Sequence, residues 1–288
     1  MGHGELLLGI DIGTSACKAA VFDRSGNALA QAAAEYPVYH PEAGAAEQDA
    51  GEWYSAACRA VRELLSGSVR NTDITAVGID GQSWACIPVK NGRETATTPI
   101  WMDTRSAGIC AELENRFGRD RLFSVCGNPM QPGYCTPKYI MMSRRMPNVM
   151  EQADAVLSSN GYIAYRLTGE MTLDASQGYG WSFFDMKKRT YDTALMDEMG
   201  IPFRQMPRIC SSHEIIGRVT PTAAVETGLC AGTPVAAGGL DAACAALGAG
   251  IYRAGETQEQ GGQAGGMSIC EDMPSSDIRL ILGCHVVP

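Results

Sequence analysis

No stretch of about 18 consecutive apolar residues, the length that spans a bilayer as a helix, occurs in the sequence. Residues 1–10 hold Glu5 inside an apolar run too short for a secretion signal. Neither a membrane partner nor export is expected, and the cytoplasm is the expected compartment. Basic residues are scarce: 23 Lys and Arg stand against 32 Asp and Glu, a formal net charge of -9. Nucleic-acid binding needs clustered Lys and Arg to displace counterions, and here they are scattered, so no nucleic-acid partner is expected. The four histidines, His3, His40, His213 and His285, lie too far apart in sequence to suggest a transition-metal site. The eleven cysteines contain no C-x-x-C pair, and an odd number cannot pair completely, so reduced thiols are expected. Two nucleotide-binding signatures are missing as well: neither G-x-x-x-x-G-K-[ST] nor a G-x-G-x-x-G after a strand occurs, which disfavours a P-loop kinase.

What is present is a core-forming chain, 45% hydrophobic and 19% charged, long enough for one or two domains. Residues 6–11 and 17–22 are apolar runs separated by Gly13-Thr14-Ser15, which predicts a β-hairpin, and residues 28–36 supply a third strand before Pro37. Asp49, with Glu52 three residues on, caps a predicted helix in which Trp53, Ala57, Ala60, Val61, Leu64 and Leu65 recur at helical spacing. The β-branched run 74–79 follows and ends at Asp80-Gly81. The order β-β-β-α-β indicates an α/β arrangement, in which chemistry gathers at strand ends. Residues 105–205 carry helix signals, with Thr136-Pro137 as cap and first helical residue, a stop near Met146-Pro147 and a helix over 160–167, and suggest an inserted substrate-side region. Residues 234–237 then predict a buried strand, Gly238-Gly239 a turn, 241–248 a small-residue helix and 256–269 a further strand-turn-strand unit.

Three segments carry candidate chemistry. In Gly9-Ile10-Asp11-Ile12-Gly13-Thr14-Ser15 a carboxylate ends a strand just before a turn whose amides and hydroxyls can face phosphate, so Asp11 is a candidate to hold hydrated Mg²⁺; taken alone, the segment reads equally as a plain hairpin turn. Asp241 follows paired glycines at a helix start, where it suits either a general base or an N-cap. The glycine-rich Glu259-Gln260-Gly261-Gly262-Gln263-Ala264-Gly265-Gly266 can bring backbone N–H groups to a nucleotide phosphate, or be only a flexible hairpin loop.

Taken together and in order, the Asp11 hairpin, Glu47-Gln48-Asp49 before Trp53, Gly81-Gln82, Trp101-Met102-Asp103-Thr104-Arg105, Tyr165-Arg166-Leu167-Thr168-Gly169-Glu170 and Gly238-Gly239-Leu240-Asp241 resemble the FGGY carbohydrate kinases, on their xylulokinase-like branch. The resemblance implies an α/β, ribonuclease H-like (actin-like ATPase) fold with a mixed sheet and a helical insertion. It divides the chain into a sugar-binding domain over 1–250 and the start of a truncated nucleotide-binding domain over 251–288. It implies ATP-dependent phosphorylation of a primary hydroxyl on a small sugar or polyol, with ATP and Mg²⁺ as cofactors and a homodimer as the family-based assembly. Asp11, Gly13, Thr14, Ser15, Lys18, Gly261, Gly262 and Gly265 then fall on the nucleotide side. Asp241 becomes the catalytic base, with Asp11 and Asp241 on the metal side.

Gln82, Ser83, Trp84, Trp101, Asp103, Arg105 and Asp241 are the candidates to read the sugar, by polar groups and by an aromatic surface over a C–H face. Trp84 and Trp101 also suit a core, and Asp103 with Arg105 a structural ion pair. The chain departs from that branch at Ser83-Trp84, where the branch has Met-His, and at Ala242, where it has Asn after the base. Both changes predict an altered hydroxyl preference. The Gln263-Ala264-Gly265-Gly266 turn stands in place of Thr-Ser-Gly. With most of a nucleotide half missing, the chain alone is expected to turn over ATP poorly. Kinases of the same family acting on glycerol, gluconate, rhamnulose, fuculose or a signalling sugar, and a non-catalytic sugar sensor, stay open as alternatives.

Overall fold

The computed structural model describes residues 5–261 and 265–287. Three antiparallel strands open the chain, β1 (Leu6–Ile12), β2 (Ala16–Phe22) and β3 (Ala28–Glu35), in the predicted order. Alternation sends Leu8, Ile10 and Ile12 to one face, where they are buried, and leaves Leu7, Gly9 and Asp11 on the other. Helix α1 (Ala50–Leu65) covers the buried face, with Trp53, Ala57, Ala60, Val61 and Leu64 pointing into the core. Its N-cap is Asp49, whose side chain accepts the Gly51 N–H at 2.8 Å.

β4 (Ile74–Gly81) then runs parallel to β1, the arrangement a helical crossover produces. After a long excursion the chain returns through β5 (Ile215–Arg218) and β6 (Pro234–Ala236), giving the sheet order β5-β6-β4-β1-β2-β3, with the short β7 (Gly239–Leu240) also paired to β4. β6 and β7 are parallel to β4, whereas β5 is antiparallel to β6, so the sheet is mixed as expected. The strand end of β4 is thereby flanked by β1 on one side and β7 on the other.

The excursion between β4 and β5 builds a second core from Cys86, Leu113, Phe117, Tyr139, Met142, Phe183, Phe184 and their neighbours. Two of its helices position the site, α2 (Cys135–Arg145) and α3 (Ser159–Thr168). The first starts earlier than the sequence suggests: the residue at its N-cap is Tyr134, and the Thr136 hydroxyl accepts the Ser182 N–H at 2.8 Å instead of capping. A tertiary partner has displaced a local one. Ser158, whose side chain accepts the Gly161 N–H, caps α3.

Helix α4 (Asp241–Gly248) leaves the sheet directly after β7, and the hairpin of β8 (Thr257–Gln260) and β9 (Gly266–Ile269) pairs only with itself among the described residues. The end of the chain folds back. Asn128 holds Leu282 by two hydrogen bonds of 2.8 and 2.9 Å, and Cys284 and Val286 are buried.

Candidate active site

β1, a central strand, delivers Asp11 near its C-terminal end, where Lys18 faces it from β2 and its Nζ lies 3.3 Å from Oδ2. The turn beyond is held from beneath. Gly13 N–H donates to Ala16 at 3.1 Å, Tyr36 donates to the Gly13 carbonyl at 2.6 Å, Gln48 to the Thr14 carbonyl at 2.8 Å, and Trp101 Nε1 to Thr14 Oγ1 at 3.0 Å. These contacts take the oxygens of Gly13 and Thr14 and fix the turn so that Gly13, Thr14 and Ser15 all line the cavity.

Asp241 arrives from the other side, through a turn only glycine can make. Gly238 has φ 72°, and a Cβ there would stand 1.6 Å from the Ile79 carbonyl oxygen. Leu240 N–H then donates to Ser176 Oγ at 2.8 Å, fixing the residue before Asp241. Asp241 is the first residue of α4 and not its cap; among the described residues its Oδ1 accepts only the neighbouring Ala242 N–H, at 2.7 Å. Burial, with a smaller contribution from the Asp11 charge, pushes its pKa up to about 6.

Between the two stands Asp80, which the sequence marked only as a strand end. It pairs in register with Asp11 across β1 and β4 and with Gly239 across β7. Burial first, and then the Asp11 charge and a hydrogen bond to Asp11, hold its carboxyl well above the usual range.

These groups share one cavity of about 860 Å³. Asp11, Gly13, Thr14, Ser15, Lys18 and Asp80 form one wall, Ser83, Trp84 and Trp101 another, and Asp241 a third. Gly261 and Gly265 reach it from the C-terminal hairpin, while Gly262 lies outside the described residues. The volume suits a small molecule. Tyr179, absent from the sequence reading, also lines it and meets the Trp84 ring edge-on at 5.4 Å. No local sequence signal marks Tyr179; the second core brings it in.

Gln82, Asp103 and Arg105 do not reach this cavity. Gln82 is 1% exposed, and its amide donates to Gln48 Oε1 at 2.7 Å beneath the turn. Arg105 spends its guanidinium on Asp103, Glu42 and Glu47, at 2.6, 2.8 and 2.5 Å. Asp103, fully buried, also accepts the Ala46 and Arg105 N–H groups. With those groups engaged, the pair is a structural ion cluster behind the wall.

The donors on the metal side are carboxylate oxygens, which suit a hard cation. Among the described residues, no three His, Cys, Asp or Glu side chains gather closely enough to enclose an ion by themselves.

The sequence profile of the N-terminal domain of the FGGY family of carbohydrate kinases matches residues 6–248. The chain belongs to the FGGY family. Among curated relatives, xylulose kinase of Escherichia coli (strain K12) is 32% identical, aligned over 98% of this chain and 58% of its own length. Xylulose kinase of Bacillus subtilis (strain 168) is 29% identical over 96% and 55%. The crystal structure of xylulose kinase from Rhodospirillum rubrum superposes with a TM-score of 0.93 at 28% identity, covering 98% of this chain and 58% of that one. This FGGY chain thus has the ribonuclease H-like, actin-like fold of sugar kinases and spans a little over half the length of these relatives. No helix among the described residues is long and apolar enough to cross a membrane.

Proposed function

We propose that the chain supplies the sugar-binding side of an ATP-dependent carbohydrate kinase, which phosphorylates a primary hydroxyl of a small sugar or polyol. The observation that carries this reading is the convergence of Asp11, Asp241, the Gly13-Thr14-Ser15 turn and the hairpin glycines Gly261 and Gly265 on one cavity. Asp241 is the base: at neutral pH a carboxyl with a pKa of about 6 is ionised and can accept the hydroxyl proton. Gly13, Thr14, Ser15, Lys18, Gly261 and Gly265 line the cavity, and in this reading they face the phosphates of ATP, Thr14 and Ser15 through N–H and hydroxyl groups and Lys18 through its ammonium, with Gly262 beside the hairpin glycines in sequence. Mg²⁺, held from the Asp11 side, would neutralise phosphate charge. Phosphoryl transfer depends mostly on positioning and charge stabilisation, so this set is chemically sufficient once a nucleotide pocket is complete.

In this reading residues 1–250 are the sugar-binding domain and 251–288 begin the nucleotide-binding domain. Ser83, Trp84 and Trp101 stand nearest the sugar; Gln82, Asp103 and Arg105 support the wall behind them. The protein works in the cytoplasm, and a homodimer is the family-based assembly, which sedimentation of the purified chain tests.

The deciding experiment is calorimetric titration of the chain with ketopentoses, methylpentuloses, polyols and sugar acids, with D-xylulose first because the relatives are named for it. One saturable ligand, weakened in Asp241→Ala, supports the reading. Absence of binding to the folded chain by every member of the panel counts against a sugar site in these residues.

A further inference from the structure

Trp84 has φ 57°. Its Cβ makes that left-handed backbone unfavourable, and such residues persist only where their surroundings impose the conformation. The other non-glycine residues with positive φ among the described ones, Asn91 and Arg189, are exposed. Trp84 instead lines the cavity, half-buried.

Two side chains grip its backbone. The Trp84 N–H donates to Gln177 Oε1 at 3.2 Å, and its carbonyl accepts from Lys138 Nζ at 2.5 Å. Lys138 is 0% exposed and gives a second hydrogen bond, 3.0 Å long, to the Pro99 carbonyl, two residues before Trp101. A single buried ammonium therefore ties together the loops that bring both tryptophans to the cavity. Gln177 is anchored in turn, donating to the Gly81 and Gln82 carbonyls at 3.2 and 3.3 Å. The indole is fixed as firmly as the backbone. Tyr134 and Tyr179 pack edge-on against it at 4.6 and 5.4 Å, and a Cβ on Gly180 would lie 2.5 Å from Trp84 Cδ1.

We propose that Lys138 and Gln177 are positioning residues that hold Trp84 left-handed, so that its indole forms a rigid wall selecting the substrate's stereochemistry. This rests on the carbohydrate reading of the cavity for what is selected, and on the geometry alone for the clamp. A rigid indole face accepts a run of C–H groups. It leaves a hydroxyl turned towards it without a partner, so it discriminates between epimers of a small sugar or polyol. Lys138 and Gln177 touch no substrate in this scheme and act only through Trp84.

The test labels the chain with 5-fluorotryptophan. Its four tryptophans give separate ¹⁹F resonances, assigned by single Trp→Phe substitutions. In Lys138→Met and in Gln177→Leu the Trp84 resonance is expected to move or split while that of Trp53, in the sheet core, stays in place. A general loss of structure would move both. If Lys138→Met does not fold, Gln177→Leu decides alone. An unmoved Trp84 resonance in a folded variant overturns the clamp. In a parallel arm, epimeric pairs of ketopentoses and pentitols are titrated calorimetrically into wild type and variants, and the preference between epimers is expected to fall about tenfold. Unchanged preference in a variant whose Trp84 has moved overturns the selection. A moved resonance with no sugar bound even by wild type upholds the clamp and counts against the carbohydrate reading.

Discussion

Asp80 stands in register beside Asp11 across a parallel strand pair, and Lys18 pairs with Asp11 at 3.3 Å. Burial, and after it the neighbouring Asp11 charge, oppose ionisation of Asp80, so its carboxyl keeps a proton well above the usual carboxylate range.

That proton has a consequence for stability. In the unfolded chain Asp80 titrates at its ordinary pKa, near 4, while in the folded protein it titrates far higher. Above pH 4 the unfolded state therefore binds fewer protons, and stability falls as pH rises towards the folded pKa, by up to about 1.4 kcal/mol per pH unit. Urea unfolding at pH 5 and pH 8 should show the decline in wild type and a shallower one in Asp80→Asn. Equal slopes would mean that the pair is ionised in the native state.

For Asp241 the same reasoning bears on chemistry. With its carboxyl raised to about 6, sugar phosphorylation by a completed enzyme should rise as pH passes through about 6 and level off above it. Asp241→Asn should lower kcat by about 100-fold or more with a smaller effect on sugar affinity. A rate profile flat from pH 5 to 8 would remove Asp241 from the role of base.

Gly238→Ala places a methyl group inside the Ile79 carbonyl and on a left-handed backbone. The strand end must shift, and a loss of about 3 kcal/mol or more in unfolding free energy is expected. Chemical denaturation measures it; a loss below about 1 kcal/mol would show that the turn adapts.

Arg105→Met leaves the Asp103 carboxylate buried without its cation, which should cost about 3–5 kcal/mol. Because neither residue reaches the cavity, sugar affinity of the folded variant should stay within about twofold of wild type. A large loss of affinity at unchanged stability would return Arg105 to the sugar-reading set.

The opening hairpin, α1 and β4 were legible because their patterns are local: alternation in the strands, helical spacing after Asp49, and glycine or proline at the boundaries. Asp11 and Asp241 were legible as single residues beside flexible turns. Asp80 was visible as a strand end, but its importance comes from register, since only the parallel pairing puts it beside Asp11. Thr136 misled because its hydroxyl bonds to Ser182, far along the chain. Lys138 and Gln177 left no signal at all. A lysine in a helix reads as exposed, and nothing near it in sequence reveals that the carbonyls of Trp84 and Pro99 converge upon it. Asp103 and Arg105 could be read either as ligand contacts or as an ion pair, and burial decides which their surroundings support.

The folding back of residues 282–287 moors both ends of the stretch from 252 to 281, as the ends of a noose are tied. His285 Nε2 lies 2.9 Å from the Ile251 carbonyl, and Leu282 is fastened to Asn128, so the two ends of that stretch are knotted to the same body. Most of its described side chains are exposed, Met267, Met273 and Ile281 among them. A protease cutting between residues 271 and 280 would therefore leave both cut ends moored, and the nicked protein should migrate as one particle until a denaturant separates it.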